Sequence, residues 1–238
     1  MVAPLEGKRV LVTRAAEEAS ELEALLRERA AIPVRFPCIA FEDGPNLAEI
    51  VQSIQRGPDL IVVSSPHAAR RLLDLMGRTS IPFAAVGQAT AALLPGEVMV
   101  PRGGSGAAAL LAQLAPLVRG KRVLLPRAEQ GTSALESGLR AAGALVQALV
   151  LYRTVTPRSA DLTALDGADA LSFASGSAVR GFVALAGAAA ARNCAVACIG
   201  ASTAEEARAA GIRVDAQGGD GLPQLCDALS LAVRARRG

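Results

Sequence analysis

Two spacings of apolar residues take turns along the chain. Short aliphatic runs of strand length come first. Each is followed by a stretch in which apolar positions recur every three or four residues, as on one face of a helix. KRVLV at 8–12 is a run of the first kind. Leu22, Leu25, Leu26 and Arg29 then fall at helical spacing, with Glu17 and Glu18 in the opening turn, where the helix dipole favours acidic side chains. RVLL at 122–125 begins another such unit. Leu135, Leu139 and Ala142 share its helical face, and Ser133 with Glu136 three residues on predicts a capping box. Both units read as strand, turn, helix.

The pattern recurs on a larger scale. GKRVLVTRA at 7–15 returns as GKRVLLPRA at 120–128, 113 positions later. PDLIVVSSPHAARRLLDL (58–75) matches ADALSFASGSAVRGFVAL (168–185) at an offset of 110, and AAVGQATAALL (84–94) matches ACIGASTAEEA (197–207) at 113. Small loops recur too, GGSG at 103–106 and GGDG at 218–221. A period near half of 238 residues is too long for a solenoid and predicts two related lobes. Strands alternating with helices predict open parallel sheets covered by helices on both faces. Such sheets bind ligands at the carboxyl ends of their strands, near the point where strand order reverses, and a groove between two lobes is the default site. PVRFPCIAFED (33–43) and ALVQALVLYRTVTPR (144–158) fit neither lobe's interior and read as a pair of extended connectors bounded by proline.

Composition narrows the function classes. Aromatic residues are 3% of the chain, with no Trp and one Tyr, so the cores must be built from Ala, Val, Leu and Ile. No stretch reaches the roughly 20 uninterrupted apolar residues that cross a bilayer; Arg192 and Asn193 break the best candidate, 181–200. The amino terminus lacks a basic segment followed by an apolar core, and a cytoplasmic protein is expected. A net charge of +3 with no basic block among aromatics argues against nucleic acid. Only Lys8 and Lys121 of the 25 basic residues are lysines, leaving 23 arginines, whose planar forks suit carboxylates and phosphates. Cys38, Cys194, Cys198 and Cys226 have no His or Asp at ligand spacing and are expected to be buried thiols, without a metal.

Candidate chemistry collects in the loops after the matched strands. Arg14 and Arg127 directly follow the repeated strand, where each can hold a ligand carboxylate or pair with a neighbouring helix. Ser65 with Pro66, and Ser175 with Gly176 and Ser177, precede helices; hydroxyls and free N–H groups there can cap the helix, hold an anion, or both. Thr90 and Thr203 also lie between strand and helix, and Thr203 with Glu206 predicts another capping box. His67 has no second ring or carboxylate near it in sequence, and Ser177 stands in its place in the other copy. The glycine loops lack the Lys of a phosphate-binding loop, so no nucleotide is assigned.

Taken together, GKRVLVTR, the SSP and SGSAV loops, VGQATA and IGASTA, and GLRAAGALVQALVLYRTV resemble the uroporphyrinogen-III synthase family over residues 7–235. The resemblance implies two flavodoxin-like α/β domains joined by a two-stranded β-ladder, with the first β–α unit exchanged between halves. On this chain residues 1–34 and 154–238 would form one domain, 39–147 the other, and 35–38 with 148–153 the ladder. Each domain would then receive one copy of GKRVL.

The implied reaction closes hydroxymethylbilane, a linear tetrapyrrole with eight carboxylates, to uroporphyrinogen III with loss of water and inversion of the last ring through a spiro intermediate. No cofactor or metal is expected. The resemblance places a functional tyrosine at Tyr152, as a proton donor to the departing hydroxyl or as a packing residue of the ladder. It places cleft-lining hydroxyls at Thr90, Ser175, Ser177 and Thr203. Arg14, Ser65, Arg127, Gly176 and Ser202 complete the expected binding set. A hinged cytoplasmic monomer is expected, with a transient contact to the preceding enzyme of the pathway. A bilobed anion-binding module without catalysis is the rival class. A flavodoxin-like receiver would need an acidic cluster or a phosphate loop.

Overall fold

The structure is a computed structural model that describes residues 4–77, 79–103, 106–131, 133–219 and 221–236. Gly104 and Ser105 of the first glycine loop and Asp220 of the second lie outside the described residues. In chain order the principal elements are β1 (Arg9–Val12), α1 (Ser20–Glu28), β2 (Ile32–Arg35), β3 (Ala40–Asp43), α2 (Leu47–Gln55), β4 (Leu60–Val63), α3 (Pro66–Leu75), β5 (Phe83–Ala85), α4 (Gln88–Ala91) and β6 (Val98–Met99). There follow α5 (Ala107–Leu114), β7 (Arg122–Ala128), α6 (Ala134–Ala141), β8 (Leu145–Val155), β9 (Ala170–Phe173), α7 (Gly176–Ala186), β10 (Ala195–Cys198), α8 (Ala201–Ala209), β11 (Ala216–Gln217) and α9 (Leu222–Ala235).

The chain divides into one unit of Met1–Phe41 with Val155–Gly238 and a second of Glu42–Thr154. The first unit's sheet runs β11-β10-β9-β1-β2 and is parallel throughout. Its inner strands β1, β9 and β10 are buried on both faces, as a parallel sheet between helical layers requires. Val10 and Val12 point to the side of Leu22, Leu26, Leu225 and Leu229, whereas Leu11 joins Phe173, Val179 and Phe182 on the other. The second sheet runs β3-β8-β7-β4-β5-β6. On one of its faces Val62, Val123 and Leu125 pack with Leu110 and Leu114 of α5 and Leu135 and Leu139 of α6.

With β3 set aside, the two sheets have the same order. The two GKRVL copies hold the same place, β1 between β9 and β2, and β7 between β4 and β8. A matching pair of aspartates ties each copy in. Asp169 Oδ2 accepts from Arg9 N–H at 2.9 Å and Asp59 Oδ2 accepts from Arg122 N–H at 2.7 Å. The N–H of each aspartate donates back to the same arginine's carbonyl at 2.9 Å. The duplicated PD and AD dipeptides therefore hold the start of each duplicated strand.

Several expectations change. The segments 33–43 and 144–158, read as connectors outside the lobe interiors, contribute sheet strands. β2 pairs with β1, and β8 pairs with β7 from Arg122↔Leu145 onward. Residues 36–39 form no strand; Phe36 is buried edge-on against Phe182 with ring centroids 5.7 Å apart. The strand beside β8 on its other side is β3, not 35–38. The capping box at Ser133 is absent, because Glu136 turns to Arg140 at 3.1 Å instead of back to the helix start. Among the described residues no helix is long and apolar enough to cross a membrane.

Candidate active site

In the second unit strand order reverses between β4 and β7, so the carboxyl edge there is where a ligand is expected. Ser65 lies two residues past the end of β4. Its extended backbone makes it the N-cap of α3, and its Oγ accepts from Ala68 N–H at 3.1 Å, with Pro66 at the first helical position. Arg127 lies near the end of β7 itself rather than after it.

Tyr152 reaches this edge from β8 through an irregularity. Arg127 aligns with Val150 but Ala128 with Tyr152, so β8 carries one extra residue, Leu151. Such a bulge re-aims the side chains beyond it. The Tyr152 carbonyl accepts from Glu129 N–H at 2.9 Å, which fixes the strand past the bulge. The buried Tyr152 places its hydroxyl 3.3 Å from Ser65 Oγ, and either oxygen can donate. The His67 ring meets the Tyr152 ring edge-to-face, with centroids 4.5 Å apart and planes at 67°.

The remaining second-unit residues are held more locally. Arg127 Nη1 donates to the carbonyls of Ala128 and Glu129 at 3.1 and 3.2 Å, and its Nε lies 4.0 Å from Glu136. That Nε is buried without a hydrogen bond among the described residues. Thr90 is the third residue of α4, after the N-cap Gly87, and is buried.

The first unit repeats the arrangement without the phenol. Ser175 caps α7 by accepting from Ala178 N–H at 3.2 Å, Gly176 opens the helix, and Ser177 Oγ accepts from Arg180 Nη2 at 3.1 Å. Arg180 also pairs with Glu206 of α8 at 3.1 Å. That pairing overturns the second capping box. α8 starts from Gly200, Ser202 is exposed on its first turn, and Thr203 is buried at its third position, not at the cap. Arg14 takes the helix-pairing option, donating from Nε to the Glu18 carbonyl and from Nη2 to the Glu18 carboxylate, both at 3.0 Å.

Sequence reasoning missed Arg180, whose only local signal is the three-residue step from Ser177, and gave Glu206 a capping role in place of its ion pair with Arg180. It left His67 open because the imidazole's partner is 85 positions away. The four cysteines are free and buried, and burial pushes the Cys198 thiol up to about 12 and the other three upward as well, so none supplies a thiolate near neutral pH. A cavity of about 530 Å³ beside Phe83, Met99 and Arg102 includes none of the candidate residues. Among the described residues no group of three or more His, Cys, Asp or Glu is placed to hold a metal ion.

Comparison with known proteins gives a consistent picture. The sequence model of a family described as uroporphyrinogen-III synthase HemD matches residues 20–218. The uroporphyrinogen-III synthase of Synechococcus elongatus is 29% identical over 205 residues, 75% of each chain. The solved uroporphyrinogen-III synthetase of Helicobacter pylori has a TM-score of 0.62 at 18% identity, covering 96% of this chain and 99% of its own. A mutant uroporphyrinogen III synthase from Thermus thermophilus has a TM-score of 0.57 at 20% identity, covering 97% and 99%. At these identities the two solved structures speak to the fold, which is α/β with parallel sheets.

Proposed function

The chain belongs to the uroporphyrinogen-III synthase family, and from that premise we propose that Tyr152 is the proton donor of its reaction and that the strand-end hydroxyls and arginines hold the substrate. The enzyme closes hydroxymethylbilane to uroporphyrinogen III in tetrapyrrole biosynthesis.

In this reading the phenol proton passes to the departing hydroxyl as the C–O bond breaks, which releases water and leaves a protonated azafulvene paired with the phenolate. The substituted α-carbon of the last ring attacks the exocyclic methylene to give the spiro intermediate. Fragmentation and reclosure invert that ring, and the proton lost on rearomatisation restores the phenol. The observation that carries this assignment is the Ser65–Tyr152 contact at 3.3 Å on the carboxyl edge. Ser65 Oγ already accepts from Ala68 N–H, so its own proton can point at the phenol oxygen. A donor at that oxygen favours the phenolate formed after transfer.

Free hydroxymethylbilane can close without inversion, so much of the enzyme's work is to hold one conformation while the reacting ends meet. Thr90 and Arg127 on the second unit, and Arg14, Ser175, Gly176, Ser177, Ser202 and Thr203 on the first, are the proposed donors to its carboxylates. Arg14 and Ser177 would exchange their present partners, Glu18 and Arg180, for substrate oxygens. Buried free thiols agree with a reducing, cytoplasmic setting.

The test is turnover with resolution of the inverted and non-inverted products. Tyr152→Phe removes one hydroxyl and is expected to lower kcat about a hundredfold or more, the scale of a lost general acid. Binding of uroporphyrinogen III should change little. Wild-type turnover in this variant would take Tyr152 off the catalytic assignment.

A further inference from the structure

The chain's only histidine packs against its only tyrosine. We propose that His67 is a positioning residue for Tyr152: its ring holds the phenol in the orientation that presents the hydroxyl at the carboxyl edge. This rests on the reading of Tyr152 as proton donor.

Three observations converge on it. First, Tyr152 follows the bulge at Leu151, where the regular strand no longer dictates the direction of its side chain. A ring there needs something else to hold it. Second, both holding contacts come from a single rigid turn. Ser65 is the N-cap of α3 and His67 is the second residue inside it; Pro66 between them has a fixed φ, and the Ala68 N–H bond to Ser65 Oγ closes the turn. Ala68, Ala69 and Leu72 are buried, anchoring that helix. The turn therefore holds the phenol at its oxygen through Ser65 and at its ring face or edge through His67.

Third, the duplication supplies an internal comparison. The residue 110 positions after His67 is Ser177, and the unit that contains it has no tyrosine. There Ser177 accepts a hydrogen bond from Arg180 instead. The imidazole is found in the unit that carries the phenol, and a small polar residue in the unit that lacks one. An edge-to-face pair also orders both rings more than a small side chain could.

With one tyrosine and no tryptophan, the phenol band of the near-ultraviolet circular dichroism spectrum reports on Tyr152 alone. The experiment compares that band and steady-state kinetics in the full chain and in His67→Ala, His67→Phe, Tyr152→Phe and the His67→Ala/Tyr152→Phe double variant. His67→Ala should weaken the phenol band and lower kcat roughly five- to tenfold, the scale of one aromatic pair. KM should stay within about twofold, since the residue acts through Tyr152 and not on substrate. His67→Phe, which keeps a ring without nitrogens, should restore both band and kcat. In the Tyr152→Phe background His67→Ala should cost nothing further.

A wild-type phenol band in His67→Ala overturns the proposal, as does an undiminished kcat loss in the double variant or failure of phenylalanine to restore turnover. The dichroism needs no catalysis. If Tyr152→Phe alone turns over normally, the proton-donor reading fails, and the band still decides whether His67 holds the ring.

Discussion

Glu23 shows how much one side chain on α1 must reconcile. Its carboxylate is buried, with Arg35 of β2 at two of its nitrogens and Arg27 one helical turn away at 3.2 Å. The hydrogen bonds from Arg35 hold its titration below the usual carboxylate range, against the burial that would raise it. A depressed folded value means that the ionised group stabilises the fold above the unfolded pKa of about 4.3, and that this is lost as pH falls through the folded value. Wild type should therefore exceed Glu23→Gln in denaturant stability near neutral pH, and the gap should close on acidification. A gap unchanged from neutral to strongly acid pH would show that the ion pair contributes nothing. At this scale the capping serines, Ser65 and Ser175, were legible in the sequence because a cap is satisfied within three residues. The capping boxes at Ser133 and Thr203 were not. Glu136 and Glu206 could choose between a local N–H and an arginine, and the arginine won in both cases.

Among the elements, α7 carries a constraint that its own sequence hides. Gly181 sits mid-helix, and a Cβ built there would collide with the carbonyl oxygen of Cys38 in the 36–39 segment. Two effects oppose in Gly181→Ala: helix propensity gains up to about 1 kcal/mol, while overpacking against a fixed group costs about 1–3 kcal/mol. The obstacle is backbone, flanked by the buried Phe36 and Phe182, so the clash should win. Urea unfolding of the variant should show a net loss of about 1–2 kcal/mol; equal or greater stability would mean that the 36–39 segment yields. The strands β2 and β8 were misread as connectors for a related reason. Ile32 and Arg35 of β2 are exposed, and Leu145 of β8 is 63% exposed, so neither strand is buried from end to end as β4 and β9 are. The Leu151 bulge had no sequence signal at all.

Taken whole, the molecule is two sheets of one order, each presenting N-caps, hydroxyls and an arginine at its strand ends. That inventory suits a flexible substrate with many carboxylates better than a compact one with a single reactive group. If arginine–carboxylate attraction holds the substrate, KM should rise about threefold or more between roughly 0.05 and 0.5 M salt, as screening shortens from beyond 10 Å to a few ångströms. The value of kcat should move much less. A KM indifferent to salt would remove the arginines from the binding assignment. The near-balance of charge does not argue against this, because 23 arginines can be locally concentrated while the net value stays at +3.

The duplication, the alternation of strand and helix, the parallel sheets and the capped helices after β4 and β9 all follow from residue order. Each is written in short-range periodicity or in the similarity of two stretches of chain. It took the folded chain to show that both GKRVL strands occupy the same place, held by Asp59 and Asp169, and that a bulge brings Tyr152 to Ser65 and His67. It alone showed that Arg14 is engaged by Glu18, and Ser177 by Arg180. These contacts join residues whose separation in sequence says nothing of their distance, or choose among partners of similar energy. Pairing geometry settles such choices, and local propensity does not.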